Sequence, residues 1–534
     1  MFLTIFNVVA LGLSDCQPLP TLPIVVVKTS ENISMSSLGQ ANEKEAHTPP
    51  QPQSHDDSST EDIERSSKAI KAKNGATDDI VEVSSTVDSE DALVAERVKQ
   101  AQEGGTIVYR TLSWQKAAIL LFTEYVCLAI LSFPWAFSYL GMAGGLLATF
   151  GIGLGALYTS LTLWRYCLRH PHLLNICDIG YQIFGKSKIA YELTALALIL
   201  NNVFIMGLHT LTGSEILNTL SEHGTCSLVF SLVIMIVSIL LTLPRKLEQL
   251  TGLGIVSAIS MFISILLVLI FTGIQGTQPA VENFSEPVHI TAFAPKGTSF
   301  VNGFSAVLNI VFTWIGHIMY PTFIAEMKDP REFPKALYAV TVAEFILFSV
   351  AGIVVYRYTG QYTTAPAVGT LRPVFKKIAF AFVLPTTIII GVLYASVVAK
   401  YLFGRIFMGT KHYNNHTVLG WAGWIGCVTI TWVLGWVIGE AIPFFSTLLS
   451  LMSALFDCYF GYIFWAFAFF ELYRGQLWVG QSWLRKTETA FQFVLIAVGL
   501  FVLGPGTYVS VKSIIDNYNN GSIKAPFTCA DNSI

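Results

Sequence analysis

Eleven long apolar stretches run from about Lys116 to Lys512, most of them separated by short loops that carry Lys or Arg. A helix needs roughly 20 consecutive apolar residues to cross a bilayer, and a soluble core helix rarely stays apolar all round for that length. The chain is therefore expected to be an all-α membrane protein with eleven transmembrane helices. Composition agrees, since 13% of the 534 residues are charged, against about 25% in soluble chains.

Charge divides the chain. Residues 1–113 hold 17 acidic and 9 basic side chains, the remainder 18 and 23. An acidic polar tail thus precedes a mildly basic membrane body, residues 114–512, and a short external tail, residues 513–534. No basic stripe of the kind that binds nucleic acid is present; the partners expected are a bilayer and a small molecule. From Lys28 to Ser113 the chain is rich in Ser, Glu, Asp, Lys and Gln. It cannot bury enough apolar surface to offset its ordering entropy, so 1–113 reads as a disordered cytoplasmic tail. Lys68, Lys71 and Lys73 beside Ser/Thr clusters are either a modification site or simply solvated. Residues 1–27 contain a signal-like apolar stretch without a positive start. An imperfect signal peptide and an upstream extension of the reading frame both fit it.

Loop charge sets orientation. With the tail inside, the inner loops carry Arg165, Arg169, Lys186, Lys188, Arg245, Lys246, Lys328, Arg331, Lys335, Arg405, Lys411, Arg474, Arg485 and Lys486, and the outer side far fewer. The sequons at Asn283 and Asn520 then fall outside, those at Asn32 and Asn415 inside. The eight cysteines show neither CxxC nor metal-ligand spacing, and no metal is expected. Cys226 and Cys529 both fall outside, which permits a bridge between them.

Two spans carry a proline in mid-sequence: Glu124-Tyr-Val-Cys-Leu-Ala-Ile-Leu-Ser-Phe-Pro134 in the first and Thr313-Trp-Ile-Gly-His-Ile-Met-Tyr-Pro321 in the sixth. Proline removes a helical hydrogen bond, and freed backbone at membrane depth is tolerable only against protein or a watery cavity. Two interrupted helices five spans apart point to a transporter built from inverted repeats; two ligand-free kinks are the plainer alternative. Unpaired amides at a half-helix N-terminus suit a carboxylate, and unpaired carbonyls suit an ammonium group or a cation. Ile130, Leu131, Ser132 and Phe133, with Trp314, Gly316 and His317, are the candidate substrate cradle. Phe133 and Trp314 either shape an apolar pocket or only pack helices.

Ionisable residues in mid-span are costly and thus functional candidates. Glu124 either couples to a proton or pairs structurally with Lys or Arg. His317 binds substrate, takes a proton or satisfies loose backbone. His209, Glu344 and Asp457 read first as structural polar contacts. Lys400 either snorkels to the interface or fills the space of a coupling sodium ion. No convincing nucleophile–base arrangement is present, so no covalent catalysis is expected.

At these residues the chain resembles the amino acid/auxin permease family, particularly fungal neutral amino-acid permeases, over about 110–512. The family pattern E-x-x-x-x-G-I-L-S-L-P stands here as Glu124 through Ile130-Leu-Ser-Phe-Pro134. The sixth-span pattern stands as Gly316-His317 followed by Glu326-Met-Lys-Asp-Pro-Arg-Glu-Phe-Pro-Lys-Ala-Leu337. Leu384-Pro-Thr386, Ala399-Lys-Tyr401 and Ile442-Pro-Phe-Phe445 add weaker matches. Ala129 replaces a usual glycine, and Phe133 and Trp135 replace smaller residues, which bears on substrate range. The resemblance implies a leucine-transporter-like 5+5 inverted repeat with helices 1 and 6 broken, moving amino acids by alternating access. It also implies proton symport of neutral, including aromatic, amino acids at the plasma membrane, with sodium coupling, a vacuolar location, or a sensor with little flux as alternatives. No cofactor beyond the coupling ion is implied.

Overall fold

The computed structural model describes residues 111–277, 286–442, 445–519 and 527–533. The expectations for residues 1–110 and for Asn283 and Asn520 lie outside them. Apart from one isolated bridge between Leu112 and Met327, the regular structure of the described residues is helical.

In chain order the helices are α1 (Trp114–Tyr125), α2 (Phe133–Leu140), α3 (Met142–Arg169), α4 (Ile176–Ile183), α5 (Lys188–Ser221), α6 (Ser227–Leu241) and α7 (Leu247–Gln275). There follow α8 (Phe300–Trp314), α9 (Tyr320–Glu326), α10 (Phe333–Thr359), α11 (Pro373–Phe407), α12 (Val418–Ala441), α13 (Phe445–Met452), α14 (Phe464–Leu472) and α15 (Trp483–Asn519). A π-helical stretch, Ser453–Ile463, joins α13 to α14. Among the described residues nine helical segments are long and apolar enough to cross a membrane, α1–α2 and α13–α14 each counting as one; α6 and α8 are apolar but shorter.

Side-chain caps start several of these helices. Ser113, Asn175, Ser187, Ser299 and Thr417 each accept from an amide of the first turn. Between α2 and α3 the chain turns at Gly141, φ 76°, against the backbone of Phe293. A Cβ there would stand 2.5 Å from Phe293 C, so both conformation and space demand glycine.

α7 shows which solvent the bundle is built for. Its exposed side carries Ile255, Val256, Ile259, Phe262, Leu266, Ile270 and Ile274, while Ser257, Ser260 and Ser264 are buried. A helix facing water shows the reverse distribution.

Contacts between connecting segments sort to two ends as the loop charges anticipate. At one end Leu112 exchanges backbone bonds with Glu326 and Lys328, at 3.0 and 2.8 Å. Arg245 donates to the carbonyls of Tyr413 and Asn415, Trp164 to that of Pro330, and Arg405 pairs with Glu192. At the other end Thr291 accepts from the Met142 amide and its own amide bonds Tyr356; Glu222 pairs with Lys377. Cys226 and Cys529 are bridged, and Ser227 bonds the Ala530 carbonyl.

Candidate functional site

Both prolines begin a new helix instead of kinking an old one. α1 ends at Tyr125, Val126 and Cys127 leave helical dihedrals, and a 3-10 turn, Leu128–Ser132, leads into α2 with Pro134 in its first turn. α8 ends at Trp314, Ile315 is non-helical, and α9 starts at Tyr320 with Pro321 next. A proline at that position forfeits no hydrogen bond, because the amide there has no partner within the helix.

The two interruptions touch. Glu124 and Tyr125, the last residues of α1, lie on Gly316. A Cβ at 316 would stand 2.6 Å from Glu124 Oε1 and 2.8 Å from the Tyr125 hydroxyl. The Gly316 amide donates to that hydroxyl at 3.1 Å, which is also in a short hydrogen bond with the Tyr320 hydroxyl. From α11, the Tyr394 hydroxyl donates to Glu124 Oε1 at 2.9 Å.

Around this contact lies a buried cavity. Glu124, Tyr125, Ala129, Thr313, Ile315 and Gly316 line it from the breaks; Asn201, His209 and Thr212 from α5; Tyr394 from α11; Asp457 and Phe460 from the π-helical stretch. Its free space is about 30 Å³, where one water takes about 10–15 Å³ by the same measure. It has room for two waters and not for an amino acid, so a substrate enters only when lining side chains move. No Lys or Arg stands among the described lining residues. Three buried polar atoms of the lining, Glu124 Oε2, Asp457 Oδ2 and His209 Nδ1, have no hydrogen-bond partner. Such a chamber suits a positively charged group. Among the described residues no group of three or more His, Cys, Asp or Glu is placed to hold a metal ion.

The residues singled out in the sequence divide. Glu124 and Gly316 line the cavity, with His209 and Asp457. Ile130, Leu131, Ser132 and Phe133 do not: they continue past the chamber, Ser132 bonding the Ala129 carbonyl at 2.7 Å and closing the 3-10 turn. Phe133 and Trp314 meet the same ring, Phe348, at 4.7 and 5.0 Å, and hold the two breaks against α10. His317 turns its Nε2 to Thr159 and Ser160 of α3, at 2.8 and 2.9 Å, away from the chamber. Lys400 is ion-paired with Glu326 where α9 ends, and Glu344 is buried on α10; neither lines the cavity. Tyr125, Tyr394 and Asn201 went unmarked in the sequence, where nothing separates a cavity tyrosine from a packing one.

Residues 110–512 match the family described as transmembrane amino acid transporter protein. The "N amino acid transport system protein" of Neurospora crassa is 33% identical over 82% of this chain and 92% of its own length. A "Transmembrane transporter" of Gibberella moniliformis is 30% identical over 80% of this chain and 89% of its own. Among solved structures, MhsT in complex with L-phenylalanine is similar at 14% identity with a TM-score of 0.49, over 73% of this chain and 98% of that one. By its match over most of its length, the chain belongs to the transmembrane amino acid transporter family, and is a membrane transporter and not an enzyme.

Proposed function

We propose that the protein is a proton-coupled symporter of neutral amino acids, aromatic ones included, working by alternating access in the plasma membrane with its N-terminus cytoplasmic. The observation that carries this reading is the meeting of two helix interruptions at Glu124, Tyr125 and Gly316 beside a closed cavity. Interrupted helices offer main-chain groups to a zwitterion without any charged side chain. In this reading α6 and the α8–α9 pair supply two further crossings, making eleven, and the breaks stand five crossings apart as a 5+5 inverted repeat requires.

The first amides of the 3-10 turn, those of Leu128 and Ala129, precede its first internal bond, from the Ile130 amide to the Cys127 carbonyl. They face the substrate carboxylate. Glu124 is the coupling group: burial without a cation favours its neutral form once the cavity closes, so a proton must accompany each cycle. Tyr394 holds Glu124 in place while the chamber is closed. Release to the cytoplasm requires the Leu112–Glu326 backbone contact and the Glu326–Lys400 pair to part.

The test is uptake of radiolabelled L-alanine and L-phenylalanine into proteoliposomes. Uptake should rise with an inward proton gradient and collapse with a protonophore, without a requirement for sodium. Uptake indifferent to the protonophore would contradict proton coupling. Glu124→Gln should abolish proton-driven accumulation while leaving exchange of labelled for unlabelled amino acid; accumulation that survives this change assigns the proton elsewhere.

A further inference from the structure

The chamber holds a second acid that proton coupling does not use. Asp457 stands on the π-helical stretch Ser453–Ile463, and π segments recur at functional sites because they place backbone and side chains where an α-helix would not. The stretch is registered on the second break. A Cβ at Gly461 would lie 2.7 Å from the Ile315 side chain, so only glycine lets the two come this close. One turn earlier, Asp457 and Phe460 both line the cavity. Asp457 is buried, and its Oδ2 has no hydrogen-bond partner.

Two acids around one small chamber cannot both stay charged and unmatched at membrane depth. No Lys or Arg stands among the described lining residues, and the other titratable groups there are Tyr125, Cys127, His209 and Tyr394. Glu124 already accepts from Tyr394 and is wedged on Gly316, so a proton suffices to neutralise it. Asp457 reaches the chamber from the other side of the second break, with Phe445 and Phe460 of its own crossing as apolar neighbours on the lining. An unmatched carboxylate beside aromatic walls is what the charged end of an apolar amine requires.

We propose that Asp457 binds the α-ammonium group of the substrate and so selects amino acids over the corresponding acids without an amine. This assignment rests on the transport reading above. The other monovalent cation that could satisfy the same carboxylate is an inorganic one, and the test separates the two.

The experiment uses the full chain in proteoliposomes, with labelled L-phenylalanine as substrate and 3-phenylpropanoate as the amine-free competitor. Asp457→Asn should raise the KM for L-phenylalanine by about 30-fold, the loss expected for a buried charge-assisted bond. Inhibition by 3-phenylpropanoate should stay within about twofold, because that ligand never used the carboxylate. Asp457→Glu, which keeps the charge, should recover part of the lost affinity. If Asp457→Asn arrests transport, equilibrium binding of the two ligands gives the same readout. An unchanged affinity for L-phenylalanine in Asp457→Asn overturns the assignment, as does loss of a sodium dependence with the amino-acid KM intact. So does failure of Asp457→Glu to recover any affinity, since a merely misfolded site would explain it. Wild-type protein that neither binds nor moves any neutral amino acid overturns the transport reading and this assignment with it. Wild-type uptake beside an unchanged Asp457→Asn overturns this assignment alone.

Discussion

Pro134 and Pro321 stand at interrupted crossings, whereas Pro385 and Pro505 lie inside continuous ones, α11 and α15. The residue type is the same and the outcome opposite. Around Pro385, serines of α7 supply hydrogen bonds to the turn ahead of it: Ser260 donates to the Phe382 carbonyl at 2.6 Å and Ser264 to that of Ala379 at 3.1 Å. Thr386 returns one to the Ser257 carbonyl at 2.8 Å. Neighbouring side chains thus keep the helix whole where proline removes a donor. At the two breaks the helix has already ended six or more residues before the proline, and what fills the gap is contact across it. Glu124 and Tyr125 occupy the space that a side chain at position 316 would need. A mid-membrane interruption in this protein is therefore made by the group that replaces the lost ladder, and proline only starts the next half-helix.

If that is so, the largest effect belongs to Gly316. Gly316→Val places carbon atoms within 3 Å of Glu124 Oε1 and the Tyr125 hydroxyl. Glu124 cannot swing away freely, since Tyr394 holds it at 2.9 Å. Uptake, normalised to protein in the membrane, should fall about 100-fold, the scale of a roughly 1 Å misplacement in a site. A value near wild type would show that the breaks do not depend on this close approach.

Tyr394→Phe removes one bond to Glu124 without crowding anything. The expected loss is about tenfold in uptake, as for a hydrogen bond to a charged acceptor. Tyr158 provides the contrast. Its hydroxyl accepts from Gln492 at 2.5 Å and donates to Glu488 between α3 and α15, away from the chamber. Tyr158→Phe should lower the thermal midpoint and leave KM unchanged. Equal effects of the two changes on KM would mean that Tyr394 acts through packing alone.

The fold was largely legible because hydropathy and loop charge report on it directly. The crossings follow from apolar length, and the contacts at the two ends of the bundle join segments that loop charge puts on the same side. The external cysteines, 303 positions apart, are bridged. The site was legible only in part. Pro134 and Pro321 mark where half-helices restart, so reading the cradle next to them placed it at Ile130–Phe133, past the chamber rather than at Tyr125–Ala129. Side-chain direction was invisible too. His317 lies on the second break, yet it is pulled to Thr159 and Ser160. Tyr394 reaches Glu124 across a separation of 270 residues. The π-helical stretch that aims Asp457 inward leaves no mark on an apolar pattern.

The smallest effects make the sharpest test, since the proline-centred view expects them to be large. Pro134→Ala adds an amide at a helix start, where no intrahelical partner exists, and should leave uptake within about twofold. Pro385→Ala restores a donor in mid-helix and removes a ring clash. α7 already supplies bonds there, so the gain should be modest, about 1 kcal/mol or less, read as a slightly higher thermal midpoint with uptake retained. Were proline the cause of the interruptions, Pro134→Ala would heal the first crossing into one rod and abolish uptake, while Pro385→Ala would pass unnoticed. The two substitutions, measured side by side, separate a break made by a missing amide from one held open by Glu124 and Tyr125 against Gly316.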